Sequence, residues 1–418
     1  AFAEQELVIG DKSSKNNALT LTAALEDSAS TKDVNITLKG GESTFLGVAA
    51  VSSPPDPGTP AKTNLNLSAA TLDINQADPA TAAKLTIGDG TNKVDVKLKS
   101  LAVTKGTLDI KGAASVQTGT ITLGTDGTAP VTQDAVVNIG AGGVLGKSGA
   151  EITVNTTAKV TASGADAKLV GNVELKGGTV AADESMTIDG NLTANDGALT
   201  TANGNTATVT GNATFSGAET LTNSGTLVIK GAAQFADGSV MESTGTVTFG
   251  KTATMNAATL KTLLAGASSA VKSADNANAV ITLGDSGSVD LSEAKGGLGL
   301  INSTDGVIST KLSAGAANST LTLHIGEAAF AHNTVSGTKA NHANVTLSFD
   351  TLTLGDGSAD VTAKAANLKV SKALTVSGDN ALVLADGSNL TLKAADQVLK
   401  TIGGKGVTVG AAAAGPSG

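Results

Sequence analysis

From about residue 85 the chain is written in short runs in which apolar and polar residues alternate. Examples are Leu85-Thr86-Ile87, Val94-Asp95-Val96-Lys97-Leu98, Leu108-Asp109-Ile110, Ile121-Thr122-Leu123, Ile152-Thr153-Val154, Val173-Glu174-Leu175, Met186-Thr187-Ile188 and Thr246-Val247-Thr248-Phe249. A period of two predicts β-strands with one buried and one wetted face. The runs recur roughly every six to nine residues, so the connections are only a few residues long. Two geometries accept that spacing: tight antiparallel hairpins, or the short corners of a parallel β-solenoid with turns of roughly 18–25 residues.

Internal similarity favours the solenoid. Gly106-Thr107-Leu108-Asp109-Ile110-Lys111-Gly112-Ala113-Ala114 recurs as Gly225-Thr226-Leu227-Val228-Ile229-Lys230-Gly231-Ala232-Ala233. Between runs stand residues that tolerate positive φ and bend the chain sharply: Gly88-Asp89-Gly90, Asp189-Gly190-Asn191, Asn195-Asp196-Gly197, Asn203-Gly204-Asn205, Asp237-Gly238 and Asp386-Gly387-Ser388. The expected fold is therefore all-β, a right-handed parallel β-helix; tandem β-sandwich modules are the alternative.

Exceptions to the pattern suggest an order of segments. Residues 52–60 hold four of the seven prolines, which predicts an exposed loop within an N-terminal cap spanning 1–84. A regular solenoid is expected over 85–256. Ala257-Ala258-Thr259-Leu260-Lys261-Thr262-Leu263-Leu264-Ala265 reads as helix, because Leu260, Leu263 and Leu264 share one helical face, and it predicts an insertion over 257–279. Ala394-Ala395-Asp396-Gln397-Val398-Leu399-Lys400 is a shorter echo of it. A second β segment is expected over 280–410, and 411–418 reads as a linker or appended tail. At the other end Ala1-Phe2-Ala3 has the small-x-small form of a signal-cleavage site, so the chain is expected to be already processed.

Composition changes the picture in three ways. First, aromatics are 2% of the 418 residues while 40% are hydrophobic, with no Trp and no Tyr, so the core must be built in thin aliphatic layers. Second, there is no Cys, which removes disulfides and thiolate metal sites and suits an exported bacterial protein. Third, all 28 basic residues are Lys and the net charge is −9, so phosphate recognition by Arg forks is absent and nucleic acid is an unfavoured partner. No apolar run reaches the roughly 18 residues of a membrane-spanning helix.

The wording of Thr220-Leu221-Thr222-Asn223-Ser224-Gly225-Thr226-Leu227-Val228-Ile229, and of residues 100–255 generally, resembles the passenger of a bacterial autotransporter adhesin. The resemblance covers about half of the chain and is one of repeat style. It implies a parallel β-helix on the bacterial cell surface, acting in adhesion. The family's C-terminal membrane barrel has no counterpart here, and residues 1–70 and 260–410 follow the rung pattern less evenly.

Candidate chemistry dissolves on inspection. Gly284-Asp285-Ser286-Gly287-Ser288 has the wording around the nucleophile of chymotrypsin-like proteases, but His324, His332 and His342 all lie downstream, whereas that fold places its His and Asp first. The motif stands where the other Gly/Asp/Ser corners stand. The three His have no spacing that enforces a shared metal site. Calcium is the ion that Asp- and Gly-rich chains would take, yet no Asp-x-Asp-x-Asp-Gly loop or Gly-Gly-x-Gly-x-Asp repeat occurs. A polysaccharide-cleaving β-helix would need carboxylates beside sugar-stacking aromatics. The expectation is thus no enzyme, no catalytic, cofactor or metal residue, and no cofactor. What is expected instead is an extracellular, repetitive protein whose polar ladders mediate adhesion, cell-to-cell self-association or biofilm contact through a second copy or a surface receptor. A structural subunit of a surface layer or filament is the alternative.

Overall fold

In the computed structural model of the chain, the described strands pair in parallel apart from the short antiparallel pair Ile301–Asn302 with Val307–Ile308, and this decides between the two geometries that alternation left open. The structure describes residues 34–39, 41–45, 63–77, 82–90, 93–127, 134–217 and 221–263, with further strands outside these ranges. The chain divides into two compact units, one of residues 1–230 with 238–240, the other of 231–237 and 241–418.

In the first unit each turn contributes to three ladders, in places with one long strand such as Val94–Ile110 or Ala167–Lys176 and elsewhere with three short ones. Met186–Asp189, Leu192–Asn195 and Ala198–Thr201 form one turn, and Thr206–Val209, Ala213–Ser216 and Leu221–Asn223 form the next. Each strand pairs in parallel with its counterpart one turn away, giving three ladders. A parallel pair needs a connection of about a dozen residues or more. Here that connection is the other two strands of the same turn. The result is a parallel β-solenoid, and it excludes hairpin sandwiches for this unit. Hydrogen bonds between equivalent corner residues span 19 to 21 positions over residues 151–212. Between the strand residues Asp109 and Asn138 of the third ladder the span is 29.

The first ladder sets Leu169, Ile188, Val209 and Ile229 side by side. The second stacks Leu175, Ala194 and Phe215, and the third Val180, Leu199 and Leu221. All ten side chains are buried. Neighbouring strands lie about 4.8 Å apart, so large residues cannot follow one another indefinitely in one column. Ala194 between Leu175 and Phe215 relieves that crowding. This spacing is why the aliphatic composition suffices: each turn adds only a thin layer, and every buried Val, Leu or Ile contributes about 1.5–3 kcal/mol.

The three predicted corners Asp189-Gly190-Asn191, Asn195-Asp196-Gly197 and Asn203-Gly204-Asn205 prove to be the three corners of a single turn, each lying between consecutive strands. The corner after the second ladder uses left-handed backbone, with φ of 78° at Gly177, 52° at Asp196 and 99° at Gly217. Asp is among the few side chains that tolerate it.

One sequence argument is corrected. The two near-identical nine-residue segments do not occupy equivalent places. Gly106–Ile110 pairs within the third ladder, beside Ala83–Ile87 and Ala135–Ile139, whereas Thr226–Ile229 belongs to the first, beside Thr206–Val209. They share local wording, with Thr outward and Leu and Ile inward after a Gly corner, and not a phase in the coil.

The inner column of the third ladder changes character along the chain. Ile110, Ile139 and Ala162 are followed further on by Ala182, Thr201 and Asn223. Thr201 is buried and its Oγ1 has no hydrogen-bond partner among the described residues. An unpaired buried hydroxyl carries a desolvation cost that a methyl group of the same shape does not. Thr201→Val is therefore expected to raise stability by about 1 kcal/mol. A lower unfolding midpoint for the variant would show that the hydroxyl is bonded after all.

In the second unit, Thr246–Phe249 pairs with Ala270–Ser273, and Ala253–Met255 pairs with Val280–Leu283, again in parallel. The predicted helix lies between these turns, at Ala257–Leu263. Its start is capped by Asn256, whose Oδ1 accepts the Thr259 N–H at 2.7 Å. Leu260 and Leu263 are fully buried, and the helix packs on the strand Met241–Ser243. Leu264 lies outside the described residues. Further on, Gly287–Asp290, Leu321–Phe330, Val345–Leu354, Asn367–Val376, Asn389–Leu392 and Thr408–Ala411 form another parallel stack. Residues 52–60, 394–400 and 412–418 lie outside the described residues.

Candidate functional site

Because side chains alternate, every inward column has an outward partner, and the outward columns are the candidate surface. On the second ladder Thr122, Thr153, Glu174, Thr193 and Thr214 stand in succession over five turns. On the first, Lys168, Thr187, Thr208 and Val228 do so. On the third the succession is Thr86, Asp109, Asn138 and Thr161, and further along Ala181, Thr200 and Thr222. Most of these residues are half-buried by their neighbours above and below; Thr122, Lys168 and Thr222 are exposed, and Asp109 and Ala181 are buried.

Polar groups are also joined from turn to turn. At the corner between the first and second ladders, Asn172 donates to Glu151 Oε1 at 2.9 Å. Asn191 Nδ2 donates to Asn172 Oδ1 at 3.1 Å, and the Asn212 N–H donates to Asn191 Oδ1 at 2.9 Å. This is an asparagine ladder, in which each amide satisfies groups of adjacent turns. The recurring pairs Gly171-Asn172, Gly190-Asn191 and Gly211-Asn212 are its sequence signal, which hydrophobic alternation does not reveal. Asn191→Ala removes two of these bonds, but water reaches the exposed corner. The expected loss is about 1 kcal/mol, measured by denaturant unfolding.

The charged residues likewise pair along the coil. Asp109, only 5% exposed, receives Asn138 Nδ2 at 2.7 Å and the Lys84 ammonium at 3.1 Å, with Lys111 at 3.9 Å. Asp95 accepts Ser115 at 2.5 Å and pairs with Lys93 at 3.3 Å. Asp73 accepts Thr104 at 3.0 Å and Asp189 accepts Thr210 at 2.9 Å. These contacts tie turns together, and none leaves a carboxylate pair poised for acid–base work. Among the described residues no three His, Asp or Glu side chains gather as metal ligands.

His324 lies in the strand Leu321–Phe330, where the register sets it between Asp290 and Ser348. The column continues to Lys369 and Thr391, a mixed polar succession like that of the third ladder. His332, His342 and the corner Gly284-Asp285-Ser286 lie outside the described residues. No helix among the described residues is long and apolar enough to cross a membrane. No protein family, no curated protein and no solved structure matches this chain.

Proposed function

We propose that this chain is a non-enzymatic extracellular protein of a bacterial surface, acting in adhesion or cell-to-cell self-association through its outward polar columns. The observation that carries the reading is the column Thr122, Thr153, Glu174, Thr193 and Thr214, in which four Thr hydroxyls and one carboxylate recur at the strand spacing over successive turns. Such an array offers many equivalent, weak, polar contacts. Repetition converts these into avidity without any single strong site. Hydroxyl and amide groups on neighbouring turns are held at fixed separations by the ladder beneath, so little conformational freedom is lost when they engage a partner.

The test is sedimentation over a concentration series together with clumping of beads coated with the protein. Concentration-dependent association, reduced in a Thr193→Lys and Thr214→Lys double variant that remains folded by circular dichroism, is the expected outcome. A strictly monomeric protein whose coated beads stay dispersed would sink the proposal. Ordered sheets or fibres under electron microscopy would favour a structural surface-layer or filament subunit instead.

A further inference from the structure

We propose that the corner at Asn203-Gly204 is a site of spontaneous, charge-changing modification, at which the asparagine amide is lost through a succinimide. Asn203-Gly204 is the one Asn-Gly pair in the chain. Ala202 O accepts the Asn205 N–H at 3.1 Å, which makes Asn203 and Gly204 the central pair of a four-residue turn. Gly204 has φ of 83°, and a Cβ built on it would meet nothing within 4 Å. Both residues are exposed, and the Asn203 amide makes no hydrogen bond to any described residue.

The chemistry needs a backbone nitrogen that can reach the side-chain carbonyl of the preceding residue. Glycine leaves that approach unhindered, and the open corner leaves both groups free to move together. The Gly204 nitrogen, after losing its proton, attacks Asn203 Cγ. A C–N bond forms, the bond from Cγ to Nδ2 breaks, and the amide leaves as ammonia. Water then opens the five-membered ring at either carbonyl, giving aspartate or isoaspartate.

Five other asparagines of this unit are held back twice. Asn138, Asn155, Asn172, Asn191 and Asn205 each donate through Nδ2 to a partner, and none is followed by Gly. Asn205 donates to Asp183 O at 2.6 Å, which brings the corner of the previous turn alongside. That corner carries the exposed carboxylates Asp183 and Glu184. Conversion at 203 therefore adds a third negative charge to an already acidic corner, and the isoaspartate form inserts an extra backbone atom into the Ala202–Asn205 turn.

The test is peptide mapping of the intact folded protein during prolonged warm incubation at neutral and mildly alkaline pH. The peptide carrying Asn203 is expected to split into aspartate and isoaspartate forms well before any other asparagine peptide. The rate should rise with pH, because the attacking nitrogen must be deprotonated. Asn203→Gln keeps the turn and is expected to abolish the new peaks, and Gly204→Ala is expected to slow them. An intact Asn203 peptide at a time when other asparagines have converted would overturn the proposal, as would conversion at the same rate everywhere.

Discussion

Gly190→Ala is expected to destabilise the first unit by about 3 kcal/mol or more, the upper end of what overpacking costs. The corner glycines Gly171, Gly190 and Gly211 lie one above another, and a Cβ on Gly190 would be driven into the carbonyl of Gly171. Flexible side chains can swing away from such a contact, but this neighbour is backbone. It cannot retreat easily either, because Gly190 O already accepts the Gly211 N–H at 2.9 Å and Asn191 O accepts the Val173 N–H at 2.8 Å. Separating the turns of Gly171 and Gly190 would stretch the Val173–Asn191 bond and the asparagine ladder beside it, while moving Gly190 the other way would crowd Gly211. Denaturant unfolding of the variant checks this, and a midpoint within experimental error of the parent would refute it. Gly204→Ala is the internal control, since its site is open and only the left-handed backbone opposes it, at a cost of about 1–2 kcal/mol.

The second large effect belongs to the second unit. Phe249 is fully buried, and its ring meets Phe235 edge-to-face, with centroids 6.0 Å apart at 76°. In a chain with seven Phe and no larger aromatic, such a pair is an uncommon concentration of buried surface. Phe249→Ala is expected to cost about 3–5 kcal/mol, from lost transfer energy and from the cavity left in a layered core. Of this, about 0.5–1.5 kcal/mol reflects the ring–ring geometry. Phe249→Leu, which refills most of the volume, should recover the greater part. Equal losses in the two variants would mean that the ring contact, and not the volume, dominates. In a stacked coil the loss need not spread to distant turns, because each repeat touches only its neighbours. Hydrogen exchange along the chain would show how far it travels.

Much of the fold is legible in the sequence because its rules are local. Alternation with period two marks Val173, Leu175, Ile188 and Leu192 as inward whatever they pack against. Gly, Asn and Asp mark the corners because few residues accept the backbone needed there. The helix is legible for the same reason, since Leu260 and Leu263 fall on one face of any helix. The candidate surface is legible only by subtraction, as the polar half of each alternating run.

What the sequence by itself determined is therefore the identity of strands, corners and buried positions, together with the absence of Trp, Tyr and Cys. Tertiary structure alone decided which turn each strand joins. The nine-residue segments at 106–114 and 225–233 show why: nearly the same residues stand on different ladders, because local wording sets the direction of a side chain and not its neighbour one turn away. That neighbour depends on the number of residues in the intervening corners, summed over a whole turn, and on which backbone partners lie within hydrogen-bond reach. The asparagine ladder, the Thr columns and the cluster on Asp109 are all contacts between turns. They exist only once parallel pairing has brought residues 19 to 31 positions apart side by side.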